Sequence, residues 1–90
     1  MIEQRIEVTN RLGLHARAAS KLVRVLSTFK AQAWLSNGTR EINAKSIMGV
    51  MLLAAAQGTM LTLRLDGVDE DAALDAVTDL FERRFDEDAE

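Results

Sequence analysis

The sequence predicts an α+β open-faced β-sandwich: a four-stranded antiparallel sheet covered on one face by three helices, in the order β-α-β-β-α-β-α. Two observations predict it. Apolar residues alternate with polar ones in several short stretches, the period of a half-buried strand, and between those stretches the spacing changes to that of an amphipathic helix. No linker or low-complexity tract interrupts the 90 residues, so residues 1–90 read as a single domain.

"IEQRIEV" places Ile2, Ile6 and Val8 at even positions with Glu3, Arg5 and Glu7 between them, a strand with one buried face. Across residues 16–28 the period changes. Arg17, Ser20, Lys21, Arg24 and Thr28 share one side of a helical wheel, Ala19, Leu22, Val23 and Leu26 the other, and Phe29 closes the apolar side. "AQAWLSNGTREIN" alternates again, with Ala31, Ala33 and Leu35 facing one way and Gln32, Trp34 and Ser36 the other. Its Asn37-Gly38 pair predicts a type I′ hairpin turn, because both residues tolerate positive φ. "AKSIMGVMLLAAAQG" reads as a short helix capped by Ser46, with Gly58 ending the segment. Leu61, Leu63 and Leu65 alternate in the last strand. Ala73, Val77, Leu80 and Phe81 (or Phe85) then recur at helical spacing, with acids 69–71 at the positive end of that helix and Arg83 and Arg84 at the other.

The composition is that of a globular domain, with 48% hydrophobic and 28% charged residues. No apolar run approaches the roughly 20 residues needed to cross a bilayer, so no membrane insertion is expected. The N-terminus lacks the basic and apolar regions of a signal peptide. The cytoplasm is therefore the expected compartment. With no cysteine and one histidine, disulfides, thiolate chemistry and histidine- or cysteine-rich metal sites are excluded, and no cofactor is expected. Residues 1–58 hold eight Lys/Arg against three acids, while residues 59–90 hold three against eleven. That split can steer an acidic partner toward one face, or simply solvate a terminal helix. Nucleic acid fits poorly: the pI is about 5.1, and the sheet lacks interleaved aromatics for base stacking. Trp34 alone faces outward, and single surface aromatics are ordinary.

The one histidine, His15, falls at or next to the N-cap of the first helix, in "RLGLHARAASKLV". Histidine caps poorly, and an imidazolium there opposes the helix dipole. The position makes sense if the side chain carries negative charge part of the time. A phosphoryl group on the ring would meet the free N–H groups of Ala16 and Arg17, and the Arg17 guanidinium would add a fork of donors. Neutral histidine is a competent covalent nucleophile. No partner acid or second nucleophile in the sequence suggests a hydrolytic triad. A group-transfer carrier needs only an acceptor, an anion cradle and docking surfaces.

"GLHARAASKLV", followed thirty residues on by "AKSIMGVM", resembles the histidine-containing phosphocarrier (HPr) family of the bacterial phosphoenolpyruvate phosphotransferase system. The resemblance covers nearly the whole chain and implies the open-faced sandwich read above. It also implies that His15 accepts phosphate at Nδ1 from phosphorylated enzyme I and passes it to an enzyme IIA domain, with Arg17 and the Ala16 backbone holding the phosphoryl oxygens. Such a protein is a stoichiometric carrier, not an enzyme. Ser46 matches the regulatory serine phosphorylated by HPr kinase/phosphorylase, beside a plain reading as an N-cap. Ile47, Met48 and Met51 resemble the apolar docking patch, with Val50 and Leu53 turned inward. Ser20, Lys21 and Arg24 would supply a rim, or only a solvated helix face.

Two departures from the family stand out. Alanine occupies position 18, where proline is usual, and Ala54 falls about where many members have glycine. With "RRFDED" near the end, these features resemble the nitrogen-related NPr branch. The alternatives to sugar-system transfer are therefore an NPr-type regulatory carrier, or a non-transferring binder acting through Ser46. A monomer is expected, since a carrier must expose its site to successive partners. The start at Met1 and the acidic end lead to the expectation of a stand-alone protein over an accessory domain of a larger transferase.

Overall fold

The N-terminal alternation forms strand β1 (Ile2–Glu7) in the computed structural model, which describes residues 1–89, with side chains as far as Glu87. It is followed by helix α1 (Ala16–Ser27), strands β2 (Gln32–Ser36) and β3 (Glu41–Asn43), helix α2 (Ile47–Leu52), strand β4 (Met60–Asp66) and helix α3 (Glu70–Glu82). A short segment, Arg84–Ala89, comes last and begins with three residues of positive φ, Arg84, Phe85 and Asp86. The strands make one antiparallel sheet in the order β1-β4-β2-β3, with Ile6 opposite Leu61 and Leu35 opposite Leu63. The fold is the one expected, because each period change in the sequence corresponds to a change of element.

The inward face of β4 and β2 supplies Leu61, Leu63, Leu65, Ala33 and Leu35, all at most 2% exposed. Against it lie Ala18, Ala19, Leu22 and Leu26 of α1, Val50 of α2, and Ala73, Val77, Leu80 and Phe81 of α3. Burying a leucine of this kind is worth about 1.5–3 kcal/mol each, so this layer holds the helices in place. Val23 and Phe29 pack at its margin. Phe81 and Phe85 are both buried, and their rings meet edge to face with centroids 4.8 Å apart. No helix among the described residues is long and apolar enough to cross a membrane.

The hairpin differs from the expected type I′ turn. Four residues, Asn37 to Arg40, connect Ser36 to its partner Glu41, and among them only Gly38 has positive φ, at 97°. Asn37 N–H donates to the Arg40 carbonyl at 3.1 Å, and Asn37 Oδ1 accepts the Thr39 and Arg40 N–H groups at 3.0 and 2.8 Å, so the Asn37 side chain helps close a turn with one left-handed residue in place of two. The acids before α3 also do more than face its dipole. Asp69 accepts the Lys30 and Ala31 N–H groups at 2.7 and 2.8 Å, and Glu70 accepts the Met1 ammonium at 3.0 Å. On the open face, the Arg64 guanidinium lies 4.6 Å over the Trp34 ring, a cation–π contact that covers the outward aromatic.

Candidate functional site

The loop from β1 to α1 is fastened before it reaches His15. Gly58 N–H donates to the Val8 carbonyl at 2.7 Å, and Leu14 N–H donates to Ala55 at 2.9 Å. Gly13 stands at φ +68°, where a side chain is strained, and an added Cβ there would lie 2.4 Å from the Ala55 carbonyl oxygen. Leu14 is buried to 4% exposure. The backbone leading into His15 is thus set by a turn that only glycine fits and by an apolar anchor.

His15 is the N-cap of α1, as its sequence position implied. Its backbone is extended, its carbonyl accepts Ala19 N–H at 2.8 Å, and its Nδ1 accepts Arg17 N–H at 3.3 Å. A poor capping residue therefore caps through a ring nitrogen. At the opposite side of the ring, Nε2 lies 2.6 Å from Glu87 Oε2. Since Nδ1 is the acceptor of one bond and a carboxylate accepts the other, the pairing assigns the ring proton to Nε2 and the free electron pair to Nδ1. The His15 side chain is 29% exposed, enough for an incoming group to reach it.

In the sequence Glu87 is one acid of an acidic end. It also accepts from Asn10 Nδ2 at 2.7 Å and from Leu12 N–H at 3.3 Å. Burial pushes its carboxyl up, but the His15 ring, the Asn10 amide and the Leu12 N–H outweigh this, and the net effect holds it below the ordinary value. Asn10 is fully buried and also donates to the Gly13 carbonyl at 2.7 Å, so one amide joins the glycine turn to the carboxylate. Neither residue carried a recognisable signal. Glu87 lies 72 residues from His15 in sequence, and Asn10 lies in a turn where asparagine is ordinary.

Arg17 is exposed, and among the described residues its guanidinium takes no partner; with the first-turn N–H groups of Ala16 and Arg17, it stands at the positive end of α1. Arg24 is exposed and Ser20 half-buried on the same helix. Lys21 is engaged elsewhere: its Nζ donates to the Phe85 carbonyl at 2.8 Å and to Asp86 at 3.3 Å.

Ser46 caps α2, its Oγ accepting Gly49 N–H at 3.0 Å. The helix turns Val50 inward, with Leu53 following at 5% exposure, and leaves Ile47, Met48 and Met51 42%, 76% and 44% exposed. Leu12 and Leu52, not singled out in the sequence, are also exposed, at 67% and 59%. α2 packs against α1, the helix that His15 caps.

A family model described as the PTS HPr component phosphorylation site matches residues 2–83. The chain is 58% identical over 88 residues to phosphocarrier protein HPr of Xylella fastidiosa (strain Temecula1), covering 98% of this chain and 99% of that protein. It is 41% identical over 86 residues to phosphocarrier protein NPr of Shewanella violacea, covering 96% and 94%, so the nitrogen-related alternative gains nothing over the HPr reading. Among solved structures, HPr from Thermoanaerobacter tengcongensis matches with a TM-score of 0.93 at 43% identity, covering 98% of this chain and 99% of that one. An HPr dimer from the same organism matches at 0.75 and 44%, covering 94% and 98%. Fold, helix-capping histidine and these matches agree: the chain belongs to the HPr family, the phosphocarrier proteins of the phosphotransferase system.

Proposed function

We propose that the chain carries phosphate on Nδ1 of His15, taking it from phosphorylated enzyme I and giving it to an enzyme IIA domain. The observation that supports this most directly is the orientation of the ring. Nδ1 holds the electron pair and faces the first-turn N–H groups of α1, while Nε2 is turned toward Glu87. In the forward step Nδ1 gives up its bond from Arg17 N–H, and its pair forms a bond to phosphorus as the donor's nitrogen–phosphorus bond breaks, the donor nitrogen keeping that pair. The phosphoryl oxygens then lie at the positive end of α1, where the Ala16 and Arg17 N–H groups and the Arg17 guanidinium neutralise them. Discharge is the same exchange with the acceptor imidazole as nucleophile.

Docking is proposed on Ile47, Met48 and Met51, extended by Leu12 and Leu52, with Arg24 and Ser20 at the border. Methionine side chains adapt to partners of different shape. Ser46 is proposed as a second phosphorylation site, for HPr kinase/phosphorylase, where added charge would oppose an acidic partner. The carrier is proposed to act as a cytoplasmic monomer; the dimeric Thermoanaerobacter relative makes the mass in solution worth measuring.

The test is intact mass after incubation with active enzyme I, magnesium and phosphoenolpyruvate, for the parent and for His15→Ala. One acid-labile phosphoryl group on the parent and none on the variant is the expected result. No gain on the parent would overturn the carrier reading at His15 and turn attention to binding through Ser46.

A further inference from the structure

Transfer at Nδ1 leaves the far side of the ring with a partner that phosphate never touches. Glu87 Oε2 stands 2.6 Å from His15 Nε2, and Asn10 Nδ2 and Leu12 N–H converge on the same carboxylate. The segment that delivers it is held at several points. Arg83 pairs with Asp79 and Asp86, Lys21 Nζ donates to the Phe85 carbonyl, and the Phe85 ring is 2% exposed against Phe81. Arg84, Phe85 and Asp86 all have positive φ, at 53°, 54° and 63°, a conformation that non-glycine residues resist. A strained turn persists only where surrounding contacts over-determine it. Here they aim one carboxylate at one ring nitrogen.

We infer that Glu87 is a positioning residue for phosphoryl transfer at His15: it holds the ring in the tautomer whose free pair is on Nδ1 and compensates the charge that the ring acquires. The inference rests on the proposed role of His15 as acceptor. When Nδ1 bonds to phosphorus, the ring becomes an imidazolium that keeps its Nε2 proton. The positive charge then sits beside a carboxylate already hydrogen-bonded to that proton, so no proton need leave during the step. On discharge the nitrogen–phosphorus pair returns to Nδ1, and the ring is again neutral with its proton on Nε2. Asp86 precedes Glu87 in the sequence, and Arg17 follows His15 by two residues. Lys21 is itself turned to Asp86, which leaves Glu87 as the carboxylate bonded to the ring. A carboxylate that orients and charge-balances an imidazole in this way acts through the histidine and not on the phosphoryl group.

Two variants separate orientation from charge. Glu87→Gln retains an oxygen that can accept from Nε2–H but loses the charge; Glu87→Ala loses both. Nitrogen-15 spectra of the His15 ring report the tautomer, and single-turnover transfer from phosphorylated enzyme I reports the rate. The parent is expected to show the Nε2–H tautomer. Glu87→Ala is expected to mix tautomers and to slow transfer about tenfold, the worth of one charge-assisted hydrogen bond. Glu87→Gln is expected to keep the tautomer and still lose rate. Unchanged tautomer and rate in both variants would overturn the inference and leave Glu87 as a fastening of the chain end. If the parent takes up no phosphate, the acceptor reading fails, and that outcome is distinct because the tautomer is read on unphosphorylated protein.

Discussion

Gly13 and Ala55 lie so close that a Cβ on Gly13 would come within 2.4 Å of the Ala55 carbonyl oxygen, the same oxygen that accepts Leu14 N–H at 2.9 Å. That contact ties the loop before His15 to the loop after α2. Gly13→Ala therefore adds a backbone clash to a left-handed residue. The two effects together predict a loss of about 2–4 kcal/mol in urea unfolding. Phosphoryl uptake should fall as well, since Leu14 and His15 follow directly.

Ala54 presents the opposite case. Its φ is 49°, a conformation that costs an L-residue about 1–2 kcal/mol and glycine very little. Glycine's greater freedom in the unfolded chain offsets part of this. Ala54→Gly is expected to raise stability by about 0.5–1 kcal/mol, read as a higher urea midpoint with unchanged slope. An unchanged or lower midpoint would contradict the strain argument.

Ser46 has a structural duty whatever else it does. Removing the oxygen that accepts Gly49 N–H predicts a loss of about 1 kcal/mol for Ser46→Ala. Ser46→Asp keeps a capping acceptor and should stay within about 0.5 kcal/mol of the parent. If charge at this position governs docking, Ser46→Asp slows uptake from enzyme I several-fold while Ser46→Ala does not. Equal rates in the two would exclude an electrostatic role.

The hold of Glu87 on the His15 loop depends on pH with a definite sign. Its folded-state value is held below the ordinary 4.5, so the carboxylate contributes stability that is fully present above that value. The contribution is lost as pH falls through the lowered folded value. Proton spectra of Leu12 N–H and the Asn10 amide should report release of the end segment only on the acid side of 4.5. A midpoint at or above the ordinary value would contradict the three-donor geometry.

Much of this was legible in the sequence for a simple reason. Strand and helix periods report burial directly, so the spacing of Leu61, Leu63, Leu65, Leu22 and Leu26 assigns them to one core. His15 and Ser46 could be placed because capping is local and concerns residues one to three apart. Glu87 could not, since its pairing with His15 depends on how the chain turns back after α3. That turn has three left-handed residues and no glycine to announce it. Lys21 escaped for the same reason, as helical periodicity cannot distinguish a solvated lysine from one bound to the Phe85 carbonyl. At the hairpin, the Asn37 side chain helps close a turn with one left-handed residue where its Asn-Gly pair suggested two.

The proposed transfer places phosphate on Nδ1 of His15 while Nε2 keeps its proton. Heteronuclear spectra of ¹⁵N-labelled protein, phosphorylated by enzyme I and phosphoenolpyruvate, locate phosphorus on one ring nitrogen or the other. Phosphorus on Nδ1 and a protonated Nε2 are the expected result. Phosphorus on Nε2, or found only on Ser46 Oγ, would contradict it.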